Sequence, residues 1–146
     1  MNHDNYSDEY IRDILRSART IAVVGASIKP ERPSHGVTRF LVSRGYEVYP
    51  INPGQAGKEI AGRTIIASLA DVPVPIDMID VFRESAAMQS VVDEALALGT
   101  RPKVIWTQLG VRDDAAASAA ERAGIKVVMN RCPAIETPRL GLDRIG

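Results

Sequence analysis

Apolar residues fall along this chain in short unbroken runs that alternate with stretches of helical spacing. Ile21–Val24 is the clearest run. It shows no polar alternation, the pattern of a strand covered on both faces in a parallel sheet. Further strands are predicted over Tyr46–Ile51, Asp77–Phe82, Lys103–Thr107 and Lys126–Met129, with a short one at Arg63–Ile66. Helical spacing fills the intervals. Ile11, Ile14, Leu15 and Ala18 share one face of a helix over 8–18, capped by Ser7 and acidic in its first turn. Val37, Phe40 and Leu41 mark a second helix, which Ser34 caps near His35 or Gly36 and Gly45 stops. A third runs from a cap at Ser85 through Leu98 to Gly99, and an alanine-rich fourth spans Asp113–Ala123 before Gly124. Residues 54–63, with three glycines, read as an irregular excursion, and Ser68–Val72 as a helical turn.

Strands alternating with helices in this way imply a parallel sheet with helices on both faces. Right-handed crossovers make it doubly wound. The expected fold is therefore α/β, a Rossmann-like doubly wound parallel sheet. No repeat or long linker divides the chain, so residues 1–146 read as one domain, with 1–7 a flexible arm that carries His3.

Composition narrows the function classes. Lys plus Arg equals Asp plus Glu at 18 each, so net charge does not point to nucleic acid. The single cysteine excludes an internal disulfide framework, and no Cys/His cluster suggests a metal. The acidic, polar N-terminus is unlike a targeting peptide, and no apolar run reaches the ~20 residues of a membrane helix. A cytoplasmic protein with no membrane partner is the expectation.

In a doubly wound sheet, ligands bind at the carboxyl ends of the strands, where strand order reverses. After the first strand come Gly25, Ala26 and Ser27, then a loop with Lys29 and Arg32, then Ser34 at a helix start. Small residues, cations and a helix N-terminus together favour an anion. The second strand ends in Asn52 and Pro53, the fourth in Arg83 and Glu84, the fifth in Gln108 and Gly110, the last in Asn130, Arg131 and Cys132. A dinucleotide fingerprint is incomplete here. Ser27 and Pro30 stand where its second and third glycines belong, and no acid at the end of the second strand awaits a ribose diol. A G-x-x-x-x-G-K-[ST] loop is absent as well.

Several stretches resemble a known family in order and spacing: Val24–Ser27, Arg32–His35, Gly45–Pro53, Asp80–Arg83, Trp106–Gly110 and Asn130–Pro133. The family is the free-standing CoA-binding proteins, similar to the CoA-binding N-terminal domain of succinyl-CoA synthetase α-subunits and of NDP-forming acyl-CoA synthetases. The likeness spans about residues 10–140. It implies coenzyme A as the cofactor, lying across the first, second and fourth strand ends. Gly25, Ala26 and Ser27 would offer backbone N–H groups and a hydroxyl to the pyrophosphate. Lys29 and Arg32 are candidates for phosphate contacts, the 3′-phosphate included. Asn52 and Pro53 would border the adenosine or pyrophosphate, and Phe82 and Arg83 the adenine or a phosphate.

Other singular residues have plainer readings. Asp80, inside an apolar strand, is expected to accept hydrogen bonds from loop N–H groups. Arg83 has a structural alternative in a salt bridge to Glu84 or Asp80. Trp106 reads as core or as a border of the pantetheine channel. Cys132 reads as a partly buried inert thiol or as one that meets the CoA thiol in a mixed disulfide, and His35 as a site-lining, capping or exposed residue. The related synthetases relay phosphate through a histidine on a second domain; this chain has only His3 and His35, and no nucleophile–base pair at a defensible spacing. Non-catalytic binding of CoA or an acyl-CoA is thus the reading, with an unidentified protein partner left open. The rival readings are an NAD(P)-linked oxidoreductase and a regulator that binds another nucleotide.

Overall fold

Five parallel strands form the central sheet of the computed structural model, which describes residues 1–142. In chain order the elements are α1 (Asp8–Ser17), β1 (Thr20–Val24), α2 (Pro33–Ser43), β2 (Glu47–Ile51), β3 (Glu59–Ile60), β4 (Arg63–Thr64), β5 (Met78–Val81), α3 (Met88–Leu96), β6 (Val104–Thr107), α4 (Asp114–Arg122), β7 (Lys126–Val128) and α5 (Pro133–Arg139). The sheet runs β2-β1-β5-β6-β7, while β3 and β4 pair separately as a small antiparallel ribbon. This is the expected α/β, Rossmann-like architecture.

The unbroken apolar runs sort by alternation onto two faces. Ile21 and Val23 join Ile11, Leu15, Val37 and Leu41 in a core under α1 and α2. Ala22 and Val24 join Val91, Val92, Ala116 and Ala120 in a second core under α3 and α4. From β1 the chain winds through α2 to β2, then returns past β1 to β5. Strand order reverses between β1 and β5, and the carboxyl ends of these strands frame a crevice.

Element boundaries differ from expectation where a local signal met a competing contact. Ser7 does cap α1, its Oγ accepting from Tyr10 N–H at 3.1 Å. Ser34 caps nothing: α2 begins at Pro33, whose fixed φ and missing N–H suit the first helical position. Ser85 likewise opens only a 3-10 turn (Ser85–Ala87), and its Oγ accepts from Arg112 N–H at 2.9 Å. The helix after it ends at Leu96, short of Gly99. Tyr46 precedes β2, buries its ring and donates its hydroxyl to the Leu15 carbonyl at 2.6 Å. The strand expected at Arg63–Ile66 is reduced to β4 plus a single bridge between Ile66 and Ile51.

The N-terminal arm is a clear correction. His3 and Tyr6 are buried rather than free in solvent. His3 Nε2–H donates to Glu121 Oε1 at 2.9 Å, which leaves Nδ1 to accept from the Tyr6 hydroxyl at 2.6 Å. The Tyr6 oxygen in turn accepts from Met129 N–H at 2.8 Å, and Tyr10 donates to the Val127 carbonyl at 3.0 Å. Two stacked tyrosines thus occupy backbone groups of the edge strand β7 and of Met129 just beyond it, which would otherwise stay unpaired.

Candidate functional site

Beyond Val24 the chain must turn sharply, and Gly25 does so at φ +89°. Its Cα lies against the backbone of Phe82 at the end of β5. The Gly25 and Ala26 amides both donate to the Ile51 carbonyl, at 3.0 and 3.2 Å, so they are spent within the fold. The expectation that they would reach a pyrophosphate is therefore corrected. Asn52 locks the same turn, with Nδ2 donating to the Ala26 carbonyl (2.8 Å) and Oδ1 accepting from Gly54 N–H (2.9 Å). Ile28 N–H goes to Gln55 Oε1 (2.8 Å) and Lys29 N–H to Ser27 Oγ (3.1 Å). Among the described residues, the Ser27 and Ser34 amides keep no protein partner. They are free donors of this loop and of the start of α2, as is the Glu31 amide.

A cleft of about 410 Å³ opens at this edge of the sheet. Gly25, Ala26 and Ser27 line it from the β1 turn, Lys29, Arg32 and Ser34 from the loop and α2. Asn52, Phe82 and Arg83 close it from the ends of β2 and β5. Pro53, the tenth residue singled out in the sequence, lies instead in an adjoining cleft of about 330 Å³. Gly25, Asn52 and Arg83 border both, forming a saddle between them.

Lys29, Arg32 and Arg83 are exposed and enter no salt bridge among the described residues. The alternative of an Arg83 pair with Glu84 or Asp80 is not found. Three unpaired cations at the mouth of one cleft make a strongly anion-attracting rim. His35 stands beside it, Nδ1–H donating to the Ser27 carbonyl at 3.0 Å.

Residues not singled out as binding candidates complete the walls. Gln55, Gln108, Leu109 and Val111 all line the larger cleft. Gln108 had a sequence signal, since it follows the strand Lys103–Thr107, observed as β6. Its Oε1 is buried without a partner in the protein, an acceptor open to a ligand donor. Gln55 had none: it arrives through the turn after β2, inside a stretch that reads as irregular.

The remaining candidates are sorted by burial. Trp106 is core, fully buried, with its indole N–H donating to the Arg131 carbonyl at 2.9 Å. Cys132 is a buried free thiol that lines neither cleft. Asp80 departs from expectation. It is fully buried between Val23 and Trp106, and neither carboxyl oxygen has a hydrogen-bond partner. Burial pushes its carboxyl well above the ordinary range, which favours its neutral form. On either side the amides of β1 and β6 serve the parallel ladders, and no loop amide reaches the carboxylate. No cluster of three or more metal-ligating side chains occurs among the described residues, and no helix there is long and apolar enough to cross a membrane.

A family model described as a CoA binding domain matches residues 19–138. Protein YneT of Bacillus subtilis (strain 168) is 36% identical over 128 residues, which cover 88% of this chain and 92% of that one. The α subunit of ADP-forming acetate–CoA ligase I from Pyrococcus furiosus is 28% identical over 93 residues, 61% of this chain but 20% of the ligase subunit. Among solved structures, cell-free ID.343 from Thermus thermophilus superposes with a TM-score of 0.86 at 43% identity, covering 92% of this chain and 99% of the other.

Proposed function

This chain belongs to the CoA binding domain family, and from that premise we propose that it binds coenzyme A or an acyl-CoA in the paired clefts without transforming it. The observation that carries the reading is the rim of Lys29, Arg32 and Arg83, three unpaired cations around a concave site at the strand switch point. CoA presents a pyrophosphate and a 3′-phosphate, and cations on separate loops suit separated phosphates. The Ser27 and Ser34 amides add neutral donors at the start of α2. The two clefts, about 410 and 330 Å³, together offer a groove suited to an elongated ligand.

The placement of the lining residues supports an assignment of parts. Phosphates belong at the cationic rim. The adenosine belongs near Asn52, Pro53 and Phe82, and Gln108 offers an acceptor to an amide or amino N–H. Ser68, on the smaller cleft, donates its hydroxyl to the exposed Asp71 carboxylate at 3.0 Å within one turn. Among the described residues no histidine backs that pair, so the reading is of a holder rather than a catalyst. The ligase relative shares one-fifth of its length with this chain, which suits a shared binding unit. A cytoplasmic place and an accompanying protein partner belong to the same proposal.

Thermal unfolding with CoA, acetyl-CoA, 3′-dephospho-CoA, NAD and ATP in parallel tests it. A ligand at about 100 times its Kd stabilises the fold by about 2.7 kcal/mol. CoA or its thioester should raise Tm, with 3′-dephospho-CoA and ATP weaker. No response to any CoA species would overturn the reading, and a response to NAD alone would favour the oxidoreductase.

A further inference from the structure

Asn130 adopts φ +60°, a left-handed conformation uncommon for any residue other than glycine. It is exposed just past β7 and does not line the cleft. Its Oδ1 accepts from Gly110 N–H at 2.7 Å, across to the loop that leaves β6. That loop supplies Gln108, Leu109 and Val111 to the cleft wall. A second tie runs alongside: Asn130 N–H donates to Thr107 Oγ1 at 3.3 Å, and the Thr107 hydroxyl donates to the Val111 carbonyl at 2.6 Å. The two exit loops are thereby bolted together at both ends of the wall.

A left-handed residue persists where its surroundings impose it, and such residues gather at sites where placement matters. Asparagine tolerates the conformation better than most side chains and also carries an acceptor. Glycine would satisfy the backbone alone. The side chain is therefore there for Gly110. We propose that Asn130 is a positioning residue, holding Gln108–Val111 in the shape that forms the cleft wall. The inference rests on the CoA reading for its ligand, and on the two loops alone for its geometry.

Three full-length variants test it. Asn130→Gly keeps the left-handed backbone and loses the acceptor, Asn130→Asp keeps both, and Asn130→Ala loses both. Hydrogen exchange in the ligand-free proteins reads the wall directly. The Gly110 amide should be protected in wild type and Asn130→Asp and should exchange faster in Asn130→Gly, with the amides of β1 and β5 unchanged. Calorimetric titration with CoA should show weakening by about two- to tenfold in Asn130→Gly, the worth of one hydrogen bond. Asn130→Asp, compared with wild type at high ionic strength to screen its added charge, should bind as wild type does. Equal Gly110 exchange in wild type and Asn130→Gly would overturn the proposal, as would unchanged CoA affinity in Asn130→Gly. If wild type ignores CoA, the functional reading fails while the exchange result still decides the role of Asn130.

Discussion

Gly25 and Phe82 meet so closely that a Cβ on the glycine would stand 2.4 Å from the Phe82 carbonyl oxygen. That oxygen belongs to backbone at the end of β5 and has little freedom to retreat. Gly25 also needs φ +89°, which an alanine disfavours. Gly25→Ala should therefore destabilise the ligand-free protein, by about 2–4 kcal/mol from backbone strain and overpacking together. Urea denaturation checks this. Loss of CoA affinity with unchanged stability would show instead that the glycine serves only the ligand.

The cationic rim predicts the opposite pattern. Arg32 and Arg83 are exposed and unpaired among the described residues, so removing either side chain withdraws little from the fold. Arg32→Ala and Arg83→Ala should each weaken CoA by roughly ten- to a hundredfold, the scale of a hydrogen bond to a charged group. Apo Tm should stay nearly unchanged. Comparing CoA with 3′-dephospho-CoA in each variant then locates the 3′-phosphate. The arginine that meets it loses the preference between the two ligands, and the other keeps it.

These two cases show what was readable in the chain. The β1 run and the residues that follow each strand are local features, and in a parallel sheet local position fixes which end of the molecule a residue occupies. That is why nine of the ten residues singled out line one cleft. Direction was not readable. Whether the Gly25 and Ala26 amides face solvent or the Ile51 carbonyl depends on β2 arriving alongside, a tertiary fact. Gln55 is the same kind of miss, reaching Ile28 from a turn whose glycines signal only irregularity. The arm misled for a different reason. Its polar composition reads as solvated, yet His3 and Tyr6 find partners near the opposite end of the chain.

The Tyr6 hydroxyl gives that arm a measurable weight. It accepts from the Met129 amide of the edge and donates to His3, so it joins the arm to the sheet. Tyr6→Phe keeps the ring and its stacking on Tyr10 but leaves a buried amide unpaired. A loss of about 1–3 kcal/mol is expected by urea denaturation. Exchange at Met129 N–H should accelerate, and CoA affinity should stay within about twofold of wild type, since Tyr6 borders neither cleft. A variant as stable as wild type would show that the arm closes the edge without the hydroxyl.

Asp80 sets how stability answers pH. Its carboxyl is fully buried, unpartnered and raised well above the ordinary value by desolvation. In the unfolded chain it ionises near pH 4, whereas in the fold it stays neutral to much higher pH. The folded state therefore holds a proton that the unfolded state has released. Stability from this group is complete below pH ~4 and declines as pH rises toward the folded pKa, by about 1.4 kcal/mol per unit. Asp80→Asn cannot ionise and lacks this slope. The difference in unfolding free energy between variant and wild type should thus shift in favour of the variant from pH 5 to pH 8. Other titrating groups cancel in that difference. Denaturant melts of both proteins at the two pH values measure it directly. A difference independent of pH would mean that Asp80 is ionised in the fold, held by a partner that the strand ladders do not supply.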